Sequence, residues 1–154
     1  MPPPHPIEAF RATVGGVSLE GTSTAANIRE AFAREAQSAL RCLYFARRAD
    51  VEGRADVATL FRSLAEGEAG HGFGHLEFLE EAEDPLGGAG DTRGNLQSAI
   101  AEAEGNAEAY LGYATAARQD KLADIADWLE SVAAAEQAHV TQLKRALKSL
   151  ETAR

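Results

Sequence analysis

Glu68-Ala-Gly-His71 and Glu136-Gln-Ala-His139 carry one spacing, a glutamate followed three residues later by a histidine. A solitary glutamate precedes each at nearly the same distance: Glu35 lies 33 residues before Glu68, and Glu102 lies 34 before Glu136. The chain thus reads as one two-helix unit used twice, each copy bringing two carboxylates and one imidazole. Four Glu and two His make up the ligand complement of a carboxylate-bridged two-metal centre inside a four-helix bundle.

Outward from these motifs the chain is helical. Proline occurs at 2, 3, 4, 6 and 85 and is absent from the long periodic stretches, and no β-branched alternation marks a strand. Residues 1–21 form an irregular, Pro- then Gly-rich lead-in, and 22–152 the bundle, with helix pairs over about 24–82 and 91–150. Thr24 is the expected N-cap of the first helix and Gly53 its stop; a second helix covers 55–82. Glu83-Asp-Pro-Leu-Gly-Gly-Ala-Gly90 is the strong breaker dividing the copies. Asp91 or Thr92 is expected to cap a third helix to about Gln119, and Asp120 a fourth to about Leu150.

Spacings of three and four place the ligands on apolar stripes. These are Ile28, Phe32, Glu35, Ala39, Cys42 and Ala46; Val57, Phe61, Leu64, Glu68, His71, His75 and Phe78; and Leu122, Ile125, Leu129, Val132, Glu136, His139 and Leu143. Leu96, Ala99, Glu102, Asn106, Ala109 and Tyr113 form a weaker one. An ionised carboxylate in such a place costs several kcal/mol unless paired. Four converging carboxylates repel one another unless cations or protons intervene. Carboxylates with one imidazole per metal suit iron or manganese better than a closed thiolate-rich zinc site. The plainer alternative, a bundle whose Glu and His only hydrogen-bond one another, is a costly way to fill a core.

Composition narrows the partners. The 154 residues suit one domain, and the formal charge of −9 argues against nucleic acid or an anionic membrane surface. No apolar run approaches the roughly 20 residues of a membrane span. The start, Met-Pro-Pro-Pro-His-Pro, does not have the pattern of a secretory signal. Cys42 is the only cysteine, so no intrachain disulfide forms, and a reducing, cytoplasmic setting is expected.

Ala31-Phe-Ala-Arg-Glu35-Ala-Gln37 resembles the first-helix motif of rubrerythrins. Phe61 through His71 resembles their second-helix motif, and Ile125-Ala-Asp-Trp128 through Ala135-Glu136-Gln-Ala-His139 their fourth. The resemblance covers roughly residues 19–150. It implies an all-α, ferritin-like antiparallel four-helix bundle built from two helix pairs with a long crossover connection, or a domain-swapped version of it. It further implies two Fe ions, with Mn or a mixed Fe/Mn pair as alternatives. Glu68 and Glu136 would bridge them, Glu35 and His71 completing one metal and Glu102 and His139 the other. The implied activity is reduction of hydrogen peroxide, with dioxygen the alternative oxidant. Electrons would come from a separate donor protein, rubredoxin-like or a reductase, and a homodimer is the expected assembly.

Three departures stand out. Gly105 occupies the position of a second third-helix glutamate, Cys42 replaces a tyrosine, and Ala109-Tyr110-Leu111 replaces Met-Tyr-Pro. A symmetric six-ligand site is therefore expected, with open volume at Gly105 for water, peroxide or oxygen. His75 is a candidate hydrogen-bond partner or proton relay, or else a packed histidine. Cys42 is a small apolar filler or a redox thiol. Tyr110 and Tyr113 are candidate donors toward the site or ordinary packing residues. Gly67, Gly70, Gly72 and Gly74 crowd the second helix around its ligands, as close helix contact would require. Competing functions are a ferritin-like ferroxidase and iron store, a dimanganese catalase-like enzyme, and an oxygen-using di-iron oxidase.

Overall fold

The computed structural model describes Leu19 and residues 21–152, so nearly all of the expected lead-in lies outside the described residues. Among these are four α-helices, one 3-10 turn and no strand: α1 Ser23–Val51, α2 Ala55–Glu81, the turn Pro85–Gly87, α3 Thr92–Gln119 and α4 Ala123–Thr152. No described helix is long and apolar enough to cross a membrane. The chain divides into two compact units between Gly88 and Ala89, one holding the α1–α2 hairpin and the other the α3–α4 hairpin.

Each hairpin is closed by a seam of small residues. On α2 the buried positions are Ala58, Ala65, Gly72 and Leu79, each seven after the last, against Ala46 and Ala49 of α1. On α4 they are Ala126, Ala133 and Val140, also seven apart, against Ala103, Ala107, Ala114 and Ala117 of α3. A strict seven-residue repeat is the signature of two helices packed along a common line. Small side chains let the two axes approach closely. At Gly72 an added Cβ would sit 3.8 Å from the Glu35 Cβ and from the Phe32 ring, whereas Gly67, Gly70 and Gly74 have nothing within 4 Å. Of the four glycines, only Gly72 marks a close helix contact within its unit.

The two hairpin turns share one hydrogen-bond pattern, displaced by 68 positions. Gly53 N–H donates to Asp50 C=O at 3.0 Å and Arg54 N–H to Ala49 C=O at 2.8 Å. Lys121 N–H donates to Arg118 C=O at 3.0 Å and Leu122 N–H to Ala117 C=O at 2.9 Å. Both turns need a left-handed residue, Gly53 at φ 73° and Lys121 at φ 62°. Even the ion pair across the turn recurs with its charges exchanged: Arg62 meets Asp50 in the first hairpin, and Arg118 meets Glu130 at 2.8 Å in the second.

Two expected caps fall elsewhere. Thr24 lies inside α1, which Thr22 precedes, its hydroxyl donating to Leu19 C=O at 2.8 Å. Asp120 does not cap the fourth helix; it ends α3, its N–H bonded to Ala116 C=O at 3.0 Å. Continuation of the α3 ladder as far as Leu122 outcompetes the local preference of an aspartate for an N-cap. Asp91 does cap α3, accepting from Gly94 N–H at 2.6 Å.

The segment between the units folds back on α2. Asp84 N–H donates to Leu79 C=O at 2.9 Å, and the 3-10 turn packs against α2 so tightly that a Cβ on Gly87 would lie 2.1 Å from the Glu80 nitrogen. The nearly buried Asp84 carboxylate accepts from Leu86 N–H at 3.0 Å and from Arg29 Nε at 2.5 Å. The Leu86 bond is the larger cause holding the Asp84 carboxyl below its ordinary value of 3.8, with Arg29 adding to it and partial burial opposing. A carboxyl more acidic when folded stabilises fully above its unfolded value and loses that contribution as pH falls through the folded one. Asp84→Asn is therefore expected to melt several degrees below the parent at pH 7, the gap closing below about pH 4. Thermal unfolding followed by circular dichroism across pH 3–7 checks this.

Candidate metal centre

Glu35 on α1 and Glu68 and His71 on α2 each offer a ligand atom, and these atoms all lie within 4.8 Å of one another. His71 Nδ1 stands 3.5 Å from Glu35 Oε2 and 3.4 Å from Glu68 Oε2. The three-residue spacing sets Glu68 and His71 on one face, and the Gly72 contact brings Glu35 beside them. The carboxylates are about three-quarters covered, at 25% and 29% side-chain exposure, while the imidazole is 66% exposed. Two carboxylates and an imidazole converging this closely fit a divalent cation of the iron or manganese kind.

Glu68 is further held by Ser38, whose hydroxyl donates to its Oε1 at 3.2 Å. The Glu68 carboxyl lies below its ordinary value, first through a hydrogen bond shared with Glu35, then through Ser38 and His71, with burial opposing. Ser38 escaped the sequence reading, although a signal existed: it follows Glu35 by three residues, the same step that joins Glu68 to His71.

The second hairpin presents a similar set. His139 Nδ1 is 3.4 Å from Glu136 Oε2, and Glu136 is 19% exposed. Glu102, Asn106, Glu136, His139 and Gln142 line one groove of about 480 Å³. Glu102 is exposed and shares this groove, but among the described residues it is not drawn into a three-ligand cluster as Glu35 is. Asn106 and Gln142 add amide groups that the sequence reading had not assigned a polar role.

The ligand stripes flank the buried seams rather than coinciding with them. Leu64, Tyr113, Leu122 and Ile125, expected in the core, are all at least 46% exposed within their units. His75 is half-buried. Cys42 is a free, half-buried thiol in a shallow groove with Arg34, Gln37, Ser38, Arg41 and Phe45. Tyr110 meets Tyr113 edge-on, ring centroids 5.8 Å apart. A Cβ at Gly105 would meet nothing within 4 Å, so space is open there within its unit.

Helical hairpins carrying repeated Glu and Glu-x-x-His ligands define a ferritin-like carboxylate metalloprotein. The rubrerythrin family model matches residues 26–147, and the chain belongs to that family. It is 32% identical over 148 residues to rubrerythrin-1 of Clostridium acetobutylicum, covering 87% of this chain and 74% of that one. It is 30% identical over 145 residues to rubrerythrin of Clostridium perfringens, with the same coverage of 87% and 74%. Identity to rubrerythrin of Nitratidesulfovibrio vulgaris is 35% over 129 residues, 79% of this chain and 68% of the relative. Membership implies a di-iron protein of the rubrerythrin type.

Removing the Ser38 hydroxyl frees Glu68 to rotate away from the cluster. Ser38→Ala is expected to lower Co(II) or Fe(II) affinity on the order of 10-fold, the usual effect of losing a hydrogen bond that orients a ligand. Spectroscopic metal titration reads this directly, and an unchanged isotherm would contradict it.

Proposed function

We propose that this protein is a di-iron peroxidase that reduces hydrogen peroxide with electrons from a separate donor protein. The observation that carries the reading is the Glu35, Glu68 and His71 cluster in a chain of the rubrerythrin family, with the matching Glu102, Glu136 and His139 lining one groove of the second hairpin. In this reading Glu35, Glu68, His71, Glu102, Glu136 and His139 would hold two iron ions. Such a pair would supply the two electrons needed to cleave the O–O bond of peroxide.

The chain's own residues hold charge and geometry. Four carboxylates match the four positive charges of two divalent ions, so the site is neutral where its side chains are least hydrated. Ser38 fixes the rotamer of Glu68, leaving the other oxygen of that carboxylate toward His71. Gly105 leaves room for a small oxidant where a longer side chain would intrude. The free thiol Cys42 fits a reducing compartment such as the cytoplasm.

Rapid mixing of the reduced, iron-loaded protein with peroxide and, separately, with dioxygen tests the reading. Oxidation is expected at least 10-fold faster with peroxide, and faster oxidation by dioxygen would overturn the peroxidase assignment. In the same assay Gly105→Glu is expected to slow the peroxide phase several-fold by filling the open volume. Unchanged kinetics would show that the gap plays no part.

A further inference from the structure

One displacement relates the second hairpin to the first, and it carries Ser38 onto Asn106. Moving 68 positions along the chain takes the left-handed Gly53 to Lys121 and the buried Ala46 and Ala49 of α1 to the buried Ala114 and Ala117 of α3. It takes Ala58 and Ala65 of α2 to Ala126 and Ala133 of α4, Glu68 to Glu136, and His71 to His139. Glu35 is the exception. Its place on α3 is held by Ala103, 5% exposed in the seam, while Glu102 takes the place of Arg34, and both of those longer side chains are exposed. One residue turns a side chain by about 100° around a helix. Glu102 therefore lies aside from the face that Glu35 uses.

In the first hairpin the residue at this place acts on a ligand: the Ser38 hydroxyl on α1 donates across the helix pair to Glu68 Oε1 at 3.2 Å. Asn106 on α3 is half-buried, as Ser38 is, and lines one groove with Glu136 and His139 of α4. Both side chains carry a donor that a carboxylate accepts. Their difference in length has a counterpart in the seam. The same displacement takes Gly72, where an added Cβ would lie 3.8 Å from the Glu35 Cβ, to Val140, whose side chain is buried at 6% exposure. Helices that meet over larger side chains lie further apart. A hydroxyl spans the narrow pair; the wider pair calls for an amide, whose nitrogen stands one bond further from the backbone.

We infer that Asn106 is the positioning residue for Glu136: its side-chain N–H donates to that carboxylate and holds it toward a cation, as Ser38 holds Glu68. This rests on the di-iron reading proposed above, in which Glu136 is a ligand. An amide suits the task because it donates without bringing a charge. A lysine or arginine at 106 would also donate, but its positive charge would compete with the metal for the carboxylate. Each hairpin thus holds the glutamate of its Glu-x-x-His pair by a neutral donor from the facing helix.

Co(II) titration of the whole chain tests this without reference to activity. Asn106→Leu keeps the bulk of the side chain and removes the donor, and Asn106→Ala removes both. Each is expected to weaken cobalt binding on the order of 10-fold, the usual cost of losing a hydrogen bond that orients a ligand. Asn106→Gln keeps the amide and is expected to recover most of that loss. The metal-free variants are expected to keep the parent's far-ultraviolet circular dichroism, so that the loss reports on the ligand and not on the helix. A Leu variant that binds cobalt as the parent does would overturn the inference. So would a Gln variant as weak as Leu, because side-chain shape alone would then account for the effect.

Glu136→Ala separates this outcome from failure of the reading beneath it. Cobalt binding weakened by Glu136→Ala but untouched by Asn106→Leu would leave Glu136 a ligand and remove the role of Asn106. Glu136→Ala binding cobalt as the parent does would overturn the reading and the inference together. Combining the two substitutions closes the cycle: with Glu136 already gone, Asn106→Leu is expected to cost nothing further. A second full loss in the double variant would show that Asn106 acts on some other group.

Discussion

The close approach of two helices along a line of small residues is the constraint on which the rest depends. Ala58, Ala65 and Gly72 present so little side chain that α1 lies against α2 closely enough for Glu35 to reach Glu68 and His71. A Cβ at Gly72 would meet the Glu35 Cβ and the Phe32 ring at 3.8 Å, in van der Waals contact. The seam therefore does more than bury apolar area; it sets the spacing of the ligand atoms. Ala126, Ala133 and Val140 form the corresponding seam on α4.

The duplication is physical as well as sequential. Corresponding N–H and C=O groups close both hairpin turns, corresponding positions carry the ion pair, and the candidate ligands recur at corresponding spacing. Exchange of charge between Asp50–Arg62 and Arg118–Glu130 preserves the attraction while inverting its polarity. What was retained at that position is the pairing, not the residue. The first half draws its three ligands into a tight cluster, whereas the second keeps Glu102 apart in a wider groove. Gly105 lies three residues after Glu102.

Much of the fold was legible because helices announce themselves locally. Proline-free stretches with three–four spacing gave four helices, and Gly53, Asp91 and the Glu83–Gly90 breaker marked their ends within a residue or two. The errors came where tertiary or backbone demands overrode local preference. Asp120 looks like an N-cap but closes α3, and Lys121 takes the left-handed position that glycine holds at the equivalent turn, leaving no punctuation to read. The stripes were likewise read as core. Apolar periodicity names a face without saying what covers it, and the seam within each hairpin runs one position aside, through the alanines.

The kinds and spacing of the ligands belong to the sequence alone: Glu-x-x-His on a helix must place both groups on one side, whatever surrounds it. The same holds for family and fold class, since both follow from motif order along the chain. Tertiary structure decided which groups meet at bonding distance. Ser38 reaching Glu68 and Gly72 admitting Glu35 are contacts between segments distant in the chain. Spacing along one helix cannot specify such contacts, because they depend on how far two separate backbones approach and on which hydrogen bonds the intervening loop makes.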